Sequence, residues 1–295
     1  MLNRIACAPC CWGIEFASNE TNPSWGKVLM DASGSGYRGI ELGPDGYFPL
    51  EKGLLRSACK VRGLEVCAGK IELPFADTLQ MSSILDEVVY ICQHLASLEV
   101  KTLLIMEGIH SQRSGHRQNA VTATRLTTKQ RQELNDNLDA IIAIASEYGL
   151  RCLLHPGVGG YIRYQDEIDF VLNQIPGSRL GLCLDVGHAF LDGMDPVRII
   201  HQYGHRIEHV HLKDISMQKL RVAVRDKLEW VDAYSQGIVT PLGEGDIQLT
   251  LIMEALNQLD YQGWLVVEHE HACNNAEQVS ADLSRSRQYL QRLMV

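Results

Sequence analysis

Short apolar runs alternate with longer amphipathic stretches along almost the whole chain. Most of these runs lack a two-residue alternation of apolar and polar positions, which is typical of strands buried on both faces. Eight runs are strand candidates: 4–8, 38–42, 64–68, 101–106, 150–154, 180–184, 207–212 and 264–267. The stretches between them carry apolar residues at helical spacing, so the pattern predicts a repeated strand–helix unit.

Helix-boundary residues sharpen the prediction for the intervening stretches. Gly149 follows one stretch as a helix stop, and Pro196 stands at the first helical position of another, which ends near Gly204. Asp246 is expected to cap a helix over 247–259. The remaining helices are predicted over 24–35, 82–98, 128–148, 166–174 and 277–293.

This eightfold alternation predicts an α/β fold with a parallel sheet, closed into a single (β/α)8 TIM barrel. Length alone would suggest two domains, but barrels of about this size form one unit, so one domain is predicted over residues 1–295. Two polar stretches, 109–127 and 222–243, follow the fourth and seventh predicted strands. Both are expected to be long loops, the first covering the active face.

Composition limits the classes of binding partner that are expected. The 27 basic and 36 acidic residues give a net charge of −9, which disfavours nucleic acid and favours small neutral or metal-linked ligands. The nine cysteines are odd in number and scattered, several within apolar runs, so most are expected to be reduced core residues of a cytoplasmic protein. We predict no membrane partner, because no apolar run approaches the roughly 18 residues of a membrane span.

Functional residues of such barrels lie at the carboxyl ends of the strands. The last four predicted strands end in imidazole or carboxylate groups, within His155-Pro156, Asp185-Val186-Gly187-His188, His209-Val210-His211-Leu212-Lys213-Asp214 and Glu268-His269-Glu270-His271. This is a nitrogen and oxygen ligand set suited to Mn²⁺, Co²⁺, Zn²⁺ or Fe²⁺. So many charged groups in one barrel mouth would be costly without a counter-cation.

Each candidate also has a purely structural interpretation. His155 could be a loop histidine before proline, and Asp185 could cap a helix. One of the two imidazoles of His209-Val210-His211, which alternation places on one strand face, could belong to the core. Glu268 could be solvated. The structural interpretation weakens when all four strand ends are considered together.

Other strand ends carry candidates for which a surface or structural role is about equally expected: Glu41, Lys70, Glu107, Lys213 and Asp214. Trp12, near the end of the first strand, could stack on a ring-shaped ligand, although core packing is the simpler role. The glycine-rich stretch Leu242-Gly243-Glu244-Gly245-Asp246 lacks the lysine of a phosphate-binding loop and is interpreted as a tight loop before a helix.

Several motifs together resemble the xylose-isomerase-like barrel superfamily of sugar isomerases, epimerases and dehydratases, and within it the inosose dehydratase branch. They are Gly39-Ile40-Glu41-Leu42-Gly43 with Gly46-Tyr47-Phe48-Pro49, His155-Pro156, Leu184-Asp185-Val186-Gly187-His188, His209-Val210-His211-Leu212-Lys213-Asp214, Thr240-Pro241-Leu242-Gly243-Glu244-Gly245-Asp246 and Gly263-Trp264-Leu265-Val266-Val267-Glu268. The resemblance covers nearly the whole chain.

The resemblance implies one divalent metal held by Glu, Asp, His and Glu, the last three of which fall on Asp185, His211 and Glu268. His155 replaces the first Glu, as is common in the dehydratase branch. That branch often has a second histidine where this chain has Gly157, which leaves the exact substrate open.

We therefore expect His155, Asp185, His211 and Glu268 to bind the metal, with Mn²⁺ or Co²⁺ first and Zn²⁺, Fe²⁺ or Mg²⁺ as alternatives. His188, Lys213 and Glu268 are the predicted catalytic residues, His188 matching a substrate contact of the family. The predicted substrate-binding residues are Glu41, Lys70, Glu107, His188, Glu270 and Trp12.

The expected activity is that of a lyase of inositol catabolism, which dehydrates a keto-cyclitol or related keto-sugar through a metal-stabilised enolate. Returning the proton to carbon would instead give a ketose isomerase or epimerase. A sugar-binding barrel without turnover is the third alternative. The expected partner is a small polyhydroxy ketone, and relatives favour a homodimer or homotetramer.

Overall fold

The computed structural model describes residues 4–51, 53–113, 120–228, 230–270 and 276–294, and in these residues eight parallel strands close into a barrel. The predicted fold class is confirmed. In barrel order the strands are β1 (Ile5–Cys7), β2 (Gly39–Glu41), β3 (Glu65–Leu73), β4 (Thr102–Glu107), β5 (Arg151–Leu154), β6 (Leu180–Asp185), β7 (Ile207–Leu212) and β10 (Trp264–Val267). Pairing of Ile5 with Leu265 closes the barrel between β1 and β10.

Helices pack around this barrel and bury their apolar faces against it. They are α1 (Trp25–Gly34), α2 (Leu54–Lys60), α3 (Met81–Ser97), α4 (Thr128–Glu147), α5 (Gln165–Gln174), α6 (Val186–Leu191), α7 (Pro196–Tyr203), α8 (Met217–Asp226), α9 (Trp230–Ser235), α10 (Leu249–Gln258) and α11 (Ala276–Leu293). Every predicted helix is present with boundaries shifted by at most a few residues. No described helix is long and apolar enough to cross a membrane.

Two predictions made between β7 and β10 are wrong. The stretch 222–243 is not a plain loop: it contains the end of α8, all of α9 and strand β9 (Val239–Thr240), which pairs antiparallel with β8 (Asp214–Ile215). Asp246 does not cap α10, which begins at Leu249 after Gln248. Instead its carboxylate accepts a hydrogen bond of 2.7 Å from the backbone N–H of Met217, the first residue of α8, and so caps the start of that helix.

The stretch 109–127 follows β4 as predicted, and 114–119 lie outside the described residues. Arg113 anchors the described part. Its buried guanidinium donates to the carbonyl oxygens of Gly160 at 3.0 Å and Thr124 at 2.9 Å, and pairs with Glu167 at 2.7 Å. The segment is therefore fixed against the loop that follows β5.

The described cysteines are free thiols and, except for the half-buried Cys10, are buried. Cys183 of β6 packs with Ala68, Leu104 and Leu153 in a small apolar cluster separate from the main core. Cys67 belongs to a second small cluster with Trp264. These clusters agree with the prediction of cysteines as apolar core residues; Cys273 lies outside the described residues.

Candidate functional site

Strand β7 places two imidazoles on one face. His209 and His211 are each 1% exposed, whereas Val210 and Leu212 between and after them belong to the main hydrophobic core outside the barrel. Because strand side chains alternate, the two histidines face the barrel interior. Sequence periodicity predicted that the two histidines share one face of the strand. It did not predict whether that face lines the barrel interior or packs against the helix layer.

The four predicted metal ligands lie on neighbouring strands and converge on one atom. His211 Nδ1 is surrounded by His155 Nε2 at 3.0 Å, Asp185 Oδ2 at 3.7 Å and Glu268 Oε2 at 3.3 Å. The register explains this, since Asp185 pairs with His211 across β6 and β7, and Glu268 directly follows β10. Their binding of a metal stays a prediction.

The donor set and its burial fit a divalent cation. The side chains of His155, Asp185, His211 and Glu268 are between 1% and 12% exposed. Two imidazole nitrogens face each other at 3.0 Å beside two carboxylates, an arrangement that needs either a shared proton or a shared cation. Such a mixed nitrogen and oxygen set suits Zn²⁺, Mn²⁺, Co²⁺ or Fe²⁺.

The ammonium of Lys213 lies among three carboxylates of the site. The Lys213 side chain is 2% exposed, and its ammonium lies 2.9 Å from Asp185 Oδ2, 2.9 Å from Glu268 Oε2 and 2.7 Å from Glu270 Oε1. Burial opposes the charge of Lys213, but these carboxylates outweigh it and hold its pKa well above the ordinary value. The ammonium therefore remains charged and acts as a donor only.

Asp185 serves both the site and the local fold. Its Oδ1 accepts a hydrogen bond of 2.8 Å from the His188 backbone N–H and caps α6, while Oδ2 faces Lys213. Gly187 permits this geometry, because a Cβ there would stand 2.6 Å from Lys213 Cβ. The helix-cap and ligand interpretations of Asp185 are thus compatible.

Two buried polar atoms beside Lys213 form no hydrogen bond with the described residues: Glu270 Oε2, and His188 Nδ1, which lies 3.6 Å from Asp185 Oδ2. His188 Nε2 lies 3.1 Å from Lys213 Nζ and must accept from it, so a neutral His188 carries its proton on Nδ1. Burial lowers the pKa of His188 to about 4, which keeps it neutral at neutral pH. A free donor and a free acceptor therefore flank the ammonium, where substrate hydroxyls could pair with them.

Glu41 reaches the site from β2 and is 5% exposed. Its Oε1 lies 2.7 Å from His209 Nε2 and 2.9 Å from His211 Nε2. Burial opposes ionisation of Glu41, but the charges and hydrogen bonds of the two imidazoles lower its pKa to about 2. A contact between Glu41 and substrate stays a prediction.

Glu107 lies outside the central cluster and contacts three loops instead. The side chain is 1% exposed, and its Oε1 lies 2.7 Å from His110 Nε2 and 3.3 Å from the Ala76 backbone N–H. Oε2 accepts from the Tyr161 backbone N–H at 2.8 Å. These contacts tie together the loops that follow β3, β4 and β5.

Lys70 and Trp12 also have partners outside the cluster. Lys70 lies within β3, not after the strand as predicted, and its ammonium pairs with Glu72 at 3.0 Å with 37% of the side chain exposed. Trp12 is 5% exposed in the main core and donates from its indole to Asp31 Oδ2 at 3.2 Å. The core-packing alternative for Trp12 agrees with this position.

Sequence reasoning undervalued Asp214 and missed Tyr234. Asp214, which directly follows Lys213, accepts hydrogen bonds from four backbone N–H groups, those of Ile215, Gly243, Gly245 and Ile247 at 2.9 to 3.1 Å. The glycine-rich stretch signalled this loop, since a Cβ at Gly245 would stand 2.2 Å from Asp214 Oδ1. Tyr234 of α9 is close enough to Glu270 and Lys213 to interact electrostatically, and burial raises its pKa.

Asp214→Asn is expected to destabilise the protein by about 3 kcal/mol, because one carboxylate oxygen that accepts from backbone N–H groups becomes an amide donor facing them. Urea denaturation would measure the change. Asp139→Asn is the matched control, since its exposed pair with Arg179 contributes little. Equal stability of the two variants would contradict the role given to Asp214.

Comparisons with known proteins agree with this architecture. Residues 29–289 match a family model described as xylose isomerase-like TIM barrel. An inosose dehydratase of Geobacillus kaustophilus is 29% identical over 275 residues, covering 90% of this chain and 87% of that protein.

Two solved structures share the fold over 98% of this chain. One is the probable 3-DHS dehydratase AsbF of Bacillus anthracis, with a TM-score of 0.73, 16% identity and 98% of its chain covered. The other is an IOLI protein with a bound zinc atom, with a TM-score of 0.75, 15% identity and 97% of its chain covered. Since the family model matches most of the chain, this protein belongs to the xylose isomerase-like TIM barrel family.

Proposed function

We propose that the protein is a metal-dependent hydro-lyase that removes water from a neutral polyhydroxylated ketone of the inosose class. The observation that carries the proposal is the convergence of His155, Asp185 and Glu268 on His211 Nδ1, with Lys213 beside them. The similarity to an inosose dehydratase over 90% of the chain supports the substrate class.

His155, Asp185, His211 and Glu268 would hold one divalent metal, with Mn²⁺ or Co²⁺ as the first choice. The IOLI protein, which shares the fold and contains a bound zinc atom, supports such a site. When bound, the metal would supply a Lewis acid for the ketone oxygen. His211 is suited to this role because Glu41 occupies its Nε2 and leaves Nδ1 facing the other three groups.

The residues around Lys213 would move the protons. Glu270 Oε2 is the free acceptor and would take the proton from the carbon next to the ketone. His188 Nδ1 would give its proton to the hydroxyl on the following carbon, whose bond to carbon breaks as water leaves, while His188 Nε2 takes a proton from Lys213 Nζ at 3.1 Å, so that the imidazole stays neutral. Solvent would then take the proton from Glu270 and return one to Lys213. Lys213 would hold both groups in place through its contacts of 2.7 and 3.1 Å.

Charge favours a neutral substrate. Lys213 is already shared by three carboxylates, and Glu268 and Glu270 remain 12% and 14% exposed beside it. A substrate carboxylate bound here would face these like charges in a partly dehydrated site, which is costly. Polyhydroxy ketones avoid this cost, because their hydroxyls can both donate to Glu270 and accept from His188.

Mass spectrometry of the metal-loaded protein with keto-cyclitols, open-chain ketoses and keto acids tests the proposal. We expect a product lighter by one water from the keto-cyclitols and none from the keto acids. A product of unchanged mass but new stereochemistry would show an isomerase or epimerase. Binding without any product would show a sugar-binding barrel. Either result would overturn the lyase assignment.

Solvent deuterium separates the two proton transfers. In D2O we expect His188→Gln to dehydrate roughly 10²- to 10⁴-fold more slowly, while it still exchanges the hydrogen next to the ketone. Glu270→Gln should lose both reactions. Proton NMR of the recovered substrate measures the exchange. Loss of exchange in His188→Gln with retention in Glu270→Gln would reverse the assigned roles.

A cytoplasmic location and a homodimer or homotetramer complete the proposal. The free thiols among the described cysteines suit a reducing compartment. Light scattering of the purified protein would determine the oligomer.

A further inference from the structure

Glu41 forms a bridge across the inside of the barrel. It lies on β2, whereas both of its imidazole partners lie on β7, and these strands are not neighbours in the barrel. One oxygen, Oε1, contacts both His209 Nε2 and His211 Nε2. The side chains of the two histidines are 1% exposed and that of Glu41 is 6% exposed, so water competes little with these bonds.

The direction of these hydrogen bonds fixes one proton of His211, the one on Nε2. An ionised carboxylate only accepts, so both Nε2 atoms donate to Glu41. His211 therefore keeps its Nε2 proton, and Nδ1 is the nitrogen that can offer a lone pair to the side of the ring where Asp185 and Glu268 lie. A carboxylate behind a ligating histidine in this way sets ring orientation and raises ligand basicity.

We propose that Glu41 is a positioning residue that holds His211 in the ring orientation and tautomer needed to bind the metal through Nδ1. The inference rests on the proposed function, because it takes His211 as a metal ligand. It gives Glu41 a role through His211 instead of a direct contact with substrate.

The position of His209 explains why a single oxygen carries both bonds. The rings of His209 and His211 lie 5.4 Å apart between centroids, at an interplanar angle of 72°. The two Nε2 atoms therefore approach Oε1 from different directions. Removing His209 would leave the bond of 2.9 Å between Glu41 and His211 intact, which makes it the matched control.

The test compares Glu41→Gln with His209→Gln in titrations of the metal-free full-length protein with Mn²⁺, followed by isothermal calorimetry. Glu41→Gln removes the negative charge behind His211, and we expect the dissociation constant to rise roughly 10- to 100-fold. In His209→Gln we expect a rise of less than about threefold, since the bond to His211 stays. Glu41→Asp, which is too short to reach both imidazoles, should also weaken binding and replaces Glu41→Gln if that variant does not fold.

Nitrogen-15 NMR of the metal-free protein gives a readout that needs neither metal nor activity. The Nε2–H proton of His211 should appear far downfield in the wild type and in His209→Gln, and should move upfield in Glu41→Gln. An unchanged resonance in Glu41→Gln, or equal Mn²⁺ affinity in Glu41→Gln and wild type, would overturn the inference. A wild type that shows the resonance but binds no Mn²⁺ would instead contradict the proposed metal site, and with it the proposed function.

Discussion

Asp185→Asn is expected to abolish metal binding and to lower turnover by roughly 10³-fold or more, because it removes a charged ligand from a buried site. The substitution is chosen for its local effect. Asparagine caps a helix about as well as aspartate, so the bond to the His188 backbone N–H and the start of α6 should persist. Elemental analysis of the purified variant measures metal content, and circular dichroism checks the fold.

Asp195→Asn is the matched control, since Asp195 caps α7 through the Val197 backbone N–H and has no contact with the four ligands. It should retain wild-type metal content and turnover. His211→Ala should reproduce the loss seen in Asp185→Asn. Full metal content in both site variants would show that these residues do not bind the ion.

Lys213→Met is expected to destabilise the metal-free protein by about 3 to 5 kcal/mol, because it leaves buried carboxylates without their counter-charge. It should also lower turnover roughly 10²- to 10⁴-fold, since His188 and Glu270 lose the group that holds them. A divalent ion can replace part of the missing positive charge. Added Mn²⁺ should therefore raise the melting temperature of this variant by more than it raises that of the wild type, as measured by scanning calorimetry.

Lys129→Met provides the comparison, because its ammonium pairs with Glu133 at 3.4 Å and its side chain is 87% exposed. Its stability should change little, as for other exposed ion pairs. If Lys213→Met were as stable as Lys129→Met without metal, Lys213 would not be the counter-charge of the site.

The barrel was predictable because its signals are local. The apolar runs ending at Leu154, Leu212 and Val267 coincide with the ends of β5, β7 and β10. The length of strand β3 was underestimated: it continues through the half-buried Lys70 and the exposed Glu72 to Leu73, and these two polar residues hid the continuation. Polar residues similarly hid α8, whose buried face consists of Ala223.

The convergence of the four candidate ligands was predictable because strand ends of a parallel barrel share one edge. Contacts between segments that are distant in the sequence could not be predicted from it. The bond from Glu41 to His211 joins residues 170 positions apart, and Asp214 binds backbone N–H groups that lie about 30 residues away. Asp246 was misplaced for the same reason, because Met217, which it caps, is distant in sequence.

Anomalous diffraction from a crystal of the protein grown with Mn²⁺ tests the central claim most directly. We predict one anomalous peak at coordination distance, about 2.0 to 2.3 Å, from donors of His155, Asp185, His211 and Glu268, with Lys213 Nζ outside that shell. A Mn²⁺ peak elsewhere, or no peak with the ammonium of Lys213 still between the carboxylates, would contradict it.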